Sequence, residues 1–188
     1  MTMTDSLHHQ HDSEDDGFET FLLGPQGSLP NNDRLPVILY RDAVALDPVE
    51  PAASLEGVFL GNGWDGVWRN GIFGYHHYHA TAHEVLGIAS GTVTVELGGD
   101  EGPLLELAPG DIVVLPAGVA HRNVDSSPDL VVVGAYPAGQ IWDMNSGETT
   151  DHPRVDVSIA EVPLPTSDPI YGDEGPLVTL WTTGGDLT

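Results

Sequence analysis

The chain has 188 residues, with 29 Asp and Glu against 5 Arg, no Lys and no Cys, giving a formal net charge of -24 and a pI near 4.2. A surface this acidic repels phosphate backbones and anionic lipid, which argues against nucleic-acid and membrane partners. The absence of cysteine removes disulfides, thiolate metal sites and a Cys nucleophile. Self-repulsion on this scale needs screening, and at ~1 M salt the Debye length falls to about 3 Å. The charge is therefore read as adaptation to a salt-rich cytoplasm, with an ordinary acidic protein as the alternative. No basic-then-apolar leader opens the sequence and no apolar run approaches bilayer length, so a cytoplasmic location is expected.

In chain order, residues 1–16 are polar and acidic and are expected to form a disordered tail, in which His8, His9 and His11 are given no role. Residues 17–188 are expected to form a single domain with an extended C-terminal wrap. With 40% hydrophobic residues and 23 Gly and 15 Pro scattered without a period, that domain should consist of many short strands. Turn signals at Gly24-Pro25 and Pro30-Asn31-Asn32-Asp33 precede a strand at Pro36–Tyr40. One short helix follows, with Asp47 as its cap, Pro48 at its first position, an apolar stripe of Leu55, Val58 and Phe59, and Gly61 at its end. From Trp64 the pattern is β. Strands are predicted at Gly71–Ala80, His83–Ser90, Thr92–Leu97, Leu104–Leu107, Asp111–Leu115 and Leu130–Tyr136, with a late one at Leu177–Trp181. Short strands at this spacing argue for an antiparallel barrel or sandwich.

Within the β region, Gly71 to Gly91 reads G-x5-H-x-H-x4-E-x6-G. Residues two apart on a strand share a face, so His77 and His79 project together. A turn at Ala80 to Ala82 lets Glu84 face them. The stretch from Gly110 reads G-x5-P-x-G-x2-H and brings a third imidazole, His121, from a neighbouring strand. Three His and one Glu on one face suit a single divalent first-row ion, Fe, Mn, Ni or Zn. Alternation turns His76 and His83 away, although a shifted strand would exchange His83 for one of the ligands. Tyr75 falls on the ligand face, either as a substrate contact or as core. Asn123 shares a face with His121 and is a candidate contact to substrate or to a ligand. Arg69 and Arg122 flank the two motifs, as partners either for an anionic substrate or for intramolecular salt bridges.

These two motifs, in this order, resemble the paired signatures of the cupin superfamily, the RmlC-like jelly rolls. Tyr75-His-His-Tyr-His-Ala-Thr-Ala-His-Glu-Val-Leu-Gly, Pro30-Asn-Asn, Asn62-Gly-Trp, Gly134-Ala-Tyr-Pro and Asp168-Pro-Ile-Tyr-Gly resemble its YjlB-like branch. One departure is that the family's Asn four residues beyond the second-motif His is Asp125 here. The resemblance implies an all-β fold, a cupin-type antiparallel β-barrel with one short helix before the first metal motif. It also implies one metal per chain and pairing of edge strands in a homodimer, with residues 18–40 at the interface. Four protein ligands leave about two positions of an octahedral ion open, which suits catalysis. Two functions remain open. One is a metal-dependent enzyme acting on a small oxygen-bearing metabolite, either oxygenase-type or a Lewis-acid isomerase, decarboxylase or hydrolase. The other is a module that binds a small-molecule ligand through the metal without turning it over.

Overall fold

Short apolar runs punctuated by Gly and Pro form two antiparallel sheets that face one another. The computed structural model describes residues 17–182; the tail expected at residues 1–16, with its three histidines, lies outside the described residues. In chain order the elements are β1 (Phe18–Leu23), β2 (Asn32–Tyr40), α1 (Pro51–Gly61), β3 (Trp64–Asn70), β4 (Glu84–Ser90), β5 (Val93–Leu97), β6 (Leu104–Leu107), β7 (Ile112–Leu115), β8 (His121–Ser126) and β9 (Val131–Pro137). They are followed by α2 (Arg154–Glu161) and α3 (Pro176–Leu180). The larger sheet runs β1-β2-β7-β4-β9-β3 and the smaller β6-β5-β8. This is the jelly-roll arrangement expected from the sequence. No helix among the described residues is long and apolar enough to cross a membrane.

The large sheet is buried on both faces, which explains why β4 and β7 read as unbroken apolar runs rather than alternating ones. Its inner face packs Val37, Leu86, Ile88 and Val113 against Val93, Val95, Leu105 and Leu107 of the small sheet. Its outer face packs Val85, Val114 and Val133 under Leu55 and Phe59 of α1 and under Leu177 and Trp181. Leu55 and Phe59 are fully buried, and each contributes about 1.5–3 kcal/mol by leaving water. The helix lies so close that a Cβ on Gly87 would sit 3.1 Å from both side chains.

The C-terminal wrap is tied down by Asp168, which is fully buried. Its Oδ1 accepts from the Ile170 and Tyr171 N–H groups at 2.8 and 3.1 Å, and its Oδ2 from the Leu177 N–H at 3.1 Å and the Tyr40 hydroxyl at 2.5 Å. Burial, and then the Asp168 charge, push the Tyr40 phenol well above its usual range.

Several elements differ from the sequence expectation. Residues 71–80 are a loop carrying two isolated bridges rather than a strand, because Gly71 and Gly74 break it before the histidines. The helix begins at Pro51 after Glu50, not at Pro48. Asp47 accepts instead from the Val49 and Glu50 N–H groups, a turn upstream of the helix. Leu177–Trp181 is not a strand, since α3 occupies Pro176–Leu180 with Pro at its start. Strand β1 and helix α2 are elements the sequence patterns did not reveal, and β3 and β8 received no bounds, although the pattern reads as β from Trp64 and His121 was expected on a strand.

Candidate metal centre

Two paired backbone bridges, among other bonds, hold the loop at 71–83. The His77 N–H donates to the His121 carbonyl at 3.2 Å and the His121 N–H donates back at 3.0 Å; Tyr78 and Asn145 exchange the same pair of bonds at 2.9 and 3.1 Å. Alternation therefore survives locally without a strand. His77 and His121 lie directly opposite one another, with ring centroids 4.2 Å apart, and His79 turns to the same side. Glu84 opens β4 on the inner face of the large sheet, while His121 opens β8 of the small one. The cluster sits between the two sheets.

One nitrogen each from His77, His79 and His121 lies within 4.8 Å of the other two. The Glu84 Oε2 lies 3.2 Å from the His79 Nε2 and 3.4 Å from the His121 Nε2; it stands against two of the three imidazoles rather than all of them. The Nδ1 atoms of His77, His79 and His121 face the carbonyls of Tyr75, Asp143 and Val119. A carbonyl only accepts, so in the neutral imidazoles each Nδ1 carries the proton and each Nε2 keeps the lone pair; at His79 a proton and a cation compete for that lone pair, because Glu84 beside it favours the protonated ring. All four residues are buried, yet the Glu84 Oε2 makes no hydrogen bond. Three lone pairs and an unsatisfied carboxylate oxygen, all desolvated, fit a divalent cation.

Burial, and then the neighbouring His121, hold His77 down to about 3. Burial also opposes charge on His79, but Glu84 beside it outweighs this and lifts it to about 8. Burial would raise Glu84, but His79 and His121 together hold it well below the carboxylate range.

Support comes from residues distant in sequence. The Asn31 side chain donates to the Gly24 and Gly98 carbonyls and accepts from the Ala120 N–H, and Asn32 donates to the Ala117 carbonyl. Together they clamp the turn that delivers His121. Gly118 in that turn has φ +95°, a Cβ there would lie 2.4 Å from the Asn31 carbonyl oxygen, and its N–H donates to the His79 carbonyl at 2.8 Å. Asp143 holds His79 through its carbonyl and the Ala80 N–H through its carboxylate at 2.6 Å. Sequence reasoning singled out none of these roles. Pro30-Asn31-Asn32 carried a signal, two amides after a proline with no turn need for both, whereas Asp143 carried none.

The remaining candidates lie elsewhere. Tyr75 is half exposed and stacks on Phe73, with centroids 5.1 Å apart. Asn123 donates to the Ser126 hydroxyl at 3.0 Å; neither residue lines the cavity over the cluster. His83 is buried, accepts from the Ala117 N–H through Nδ1 at 2.9 Å and packs on Trp181. His76 turns away to Glu96 and Asp100, at 3.2 and 3.5 Å, where Arg122 also binds both carboxylates. Arg69 forms a two-pronged bond to Glu56 at 2.6 and 2.8 Å. Both arginines thus serve intramolecular salt bridges.

Above the cluster opens a cavity of about 330 Å³, walled by Trp68, Phe73, Leu86, Tyr136, Trp142 and Met144. The Trp68 indole N–H donates to the Tyr136 hydroxyl at 3.0 Å. The Trp68 ring lies over Gly134, its cross-strand partner, where a Cβ would come within 2.1 Å of the ring.

A family model for the cupin domain matches residues 67–133. Over 163 residues the chain is 34% identical to the uncharacterized protein YjlB of Bacillus subtilis (strain 168), spanning 87% of this chain and 96% of that protein. Among solved structures, it is similar to an acireductone dioxygenase from Bacillus anthracis with a cadmium ion in its active centre. That match has 20% identity and a TM-score of 0.35, and covers 49% of this chain and 63% of the other. It is also similar to RmlC from Streptococcus suis in complex with dTDP-D-xylose, at 13% identity and a TM-score of 0.33, covering 84% of this chain and 92% of the other.

Proposed function

The chain belongs to the cupin superfamily and is a relative of YjlB, and on that premise we propose that it is a metal-dependent enzyme acting on a small oxygen-bearing molecule. His77, His79, His121 and Glu84 hold one divalent ion. The observation that carries the reading is the tautomer arrangement: three buried imidazoles with Nδ1 committed to main-chain carbonyls turn their remaining lone pairs toward a carboxylate oxygen that has no hydrogen bond. The buried side-chain atoms without a hydrogen bond also include His76 Nδ1, the Tyr78 hydroxyl and His83 Nε2, but Glu84 Oε2 alone of these four is a carboxylate oxygen facing two ligand nitrogens.

A divalent first-row ion bound there supplies a Lewis acid for a ligand oxygen or, as Fe(II), a site for dioxygen chemistry. The protein's own groups do the rest. The outer wall at Phe73, Trp142 and Met144 is close to half exposed, so the cavity opens to solvent there, while the Tyr136 hydroxyl, oriented by Trp68, faces its inner end with its proton retained. Burial, and then the Glu84 charge, keep this phenol above its ordinary range. The assembly is proposed to be a homodimer formed through β1 and β2, because among the described residues β1 has no strand paired to its outer edge.

Elemental analysis of tag-free protein purified without chelator tests the site. Wild type and His76→Ala should carry metal, and His77→Ala, His79→Ala and His121→Ala should lose it. If His76→Ala stripped the metal while His77→Ala kept it, the assignment would be wrong. A loaded protein that binds a ligand and returns it chemically unchanged would favour the non-catalytic alternative.

A further inference from the structure

The walls of the cavity carry chemistry that the ion itself does not need. Tyr136 and Trp142 lie nearly parallel, at 22° with centroids 6.1 Å apart. The His79 ring meets both edge-on, at 86° and 66°, and Phe73 stands at 82° to His77. The imidazole floor therefore continues into an aromatic wall, closed on one side by Trp68 over Gly134. Polar recognition above the floor is sparse. Among the described residues, Arg69 is the sole Lys or Arg on the wall, and Glu56 engages it through two hydrogen bonds. The Trp68 N–H is already given to Tyr136. Apart from an ion at the floor, a phosphoester or polyanion would find no free cation on this wall, in a chain of net charge -24. A hydroxyl-rich sugar would bury groups for which this wall has few partners. The volume of about 330 Å³ is about twice the roughly 150 Å³ of an apolar cavity that takes up benzene.

We infer that the cavity binds a planar aromatic ligand, uncharged or at most singly charged, with an oxygen substituent directed at the three imidazoles. The inference rests on the metal reading for the direction of that oxygen, and on the wall alone for the ring. Faces and edges of Tyr136, Trp142 and Phe73 favour a π-system over a saturated ring of the same size through quadrupole contacts.

Calorimetric titration of the full chain tests this, using para-cresol, its saturated counterpart para-methylcyclohexanol, and ribose phosphate, with metal content measured on the same samples. In metal-loaded protein para-cresol should bind roughly fivefold tighter than the saturated alcohol, and ribose phosphate should bind more weakly than either. Trp142→Leu should abolish the difference between the alcohols and Trp142→Phe should retain it. Chelated protein should keep the preference with lower affinity. Equal binding of the two alcohols, failure to bind either, or tighter binding of ribose phosphate by loaded protein overturns the inference. Protein that prefers para-cresol but never holds metal leaves the aromatic site standing and overturns the metal reading instead.

Discussion

Two carboxylates are buried almost equally deep in this chain, Glu84 at 3% exposure and Asp168 at 0%, and they have opposite surroundings. Asp168 receives one hydroxyl and three backbone N–H groups across its two oxygens. Its charge is met completely by dipoles, and it stitches the C-terminal wrap to β2. Glu84 faces two imidazoles at 3.2 and 3.4 Å, and its Oε2 accepts no hydrogen bond. Burial alone does not distinguish structure from function; what separates the two acids is the leftover valence. A satisfied carboxylate closes a fold on itself, and an unsatisfied one among lone pairs calls for a cation.

The sharpest separation should come from Asp168→Ala. It strands buried donors around Tyr40 and Leu177, so it should cost about 4 kcal/mol and lower the melting temperature by on the order of 10 °C. Metal content per folded chain should not change, and a loss of metal at undiminished stability would erase the distinction. Glu84→Gln should show the reverse in calorimetric metal titrations. Metal affinity should fall by about 100-fold or more, while the melting temperature in chelator stays within about 3 °C of wild type. Asn31→Ala should fall between the two, costing about 2 kcal/mol and about tenfold in metal affinity, because it loosens the turn behind His121 without touching a ligand.

Salt should distinguish both buried acids from the exposed ones. If the excess of acidic residues destabilises the fold by repulsion, melting temperatures should rise from about 0.05 to 2 M KCl. The rise should be equal in wild type and Asp168→Ala, since buried charges are poorly screened. A flat response would sink the salt-adaptation reading. Light scattering should return twice the 20.0 kDa chain mass, and a monomer in high salt would remove the proposed role of the β1 edge.

The clustering of His77, His79, Glu84 and His121 was legible in the sequence because both motifs combine fixed spacing with residue types of narrow chemical use. Strands β4 to β7 and β9 were legible because they are short apolar runs between Gly and Pro. The bounds of strand β3 escaped because it is an edge strand, with Asp65, Gly66 and Asn70 breaking the apolar pattern. The bounds of strand β8 escaped because only its first residue is buried. The apolar run at Leu177 looked like a strand because so short a run has no readable period; Pro176 before it was the helix signal. Tyr136 shares the inner face of β9 with Gly134, and the small residue over which a Trp lies gave no pattern that sequence alone reveals.

The paired backbone bonds between His77 and His121 have a thermodynamic consequence. Joining two ligands that are far apart along the chain costs closure entropy, and here two main-chain bonds already hold that loop shut. On the proposed metal reading, an arriving ion would have little ordering left to do, and a departing ion would not need to open the barrel. Such a site would exchange its metal without unfolding. Its occupancy would then follow the free concentration and intrinsic affinity of each ion rather than the history of folding.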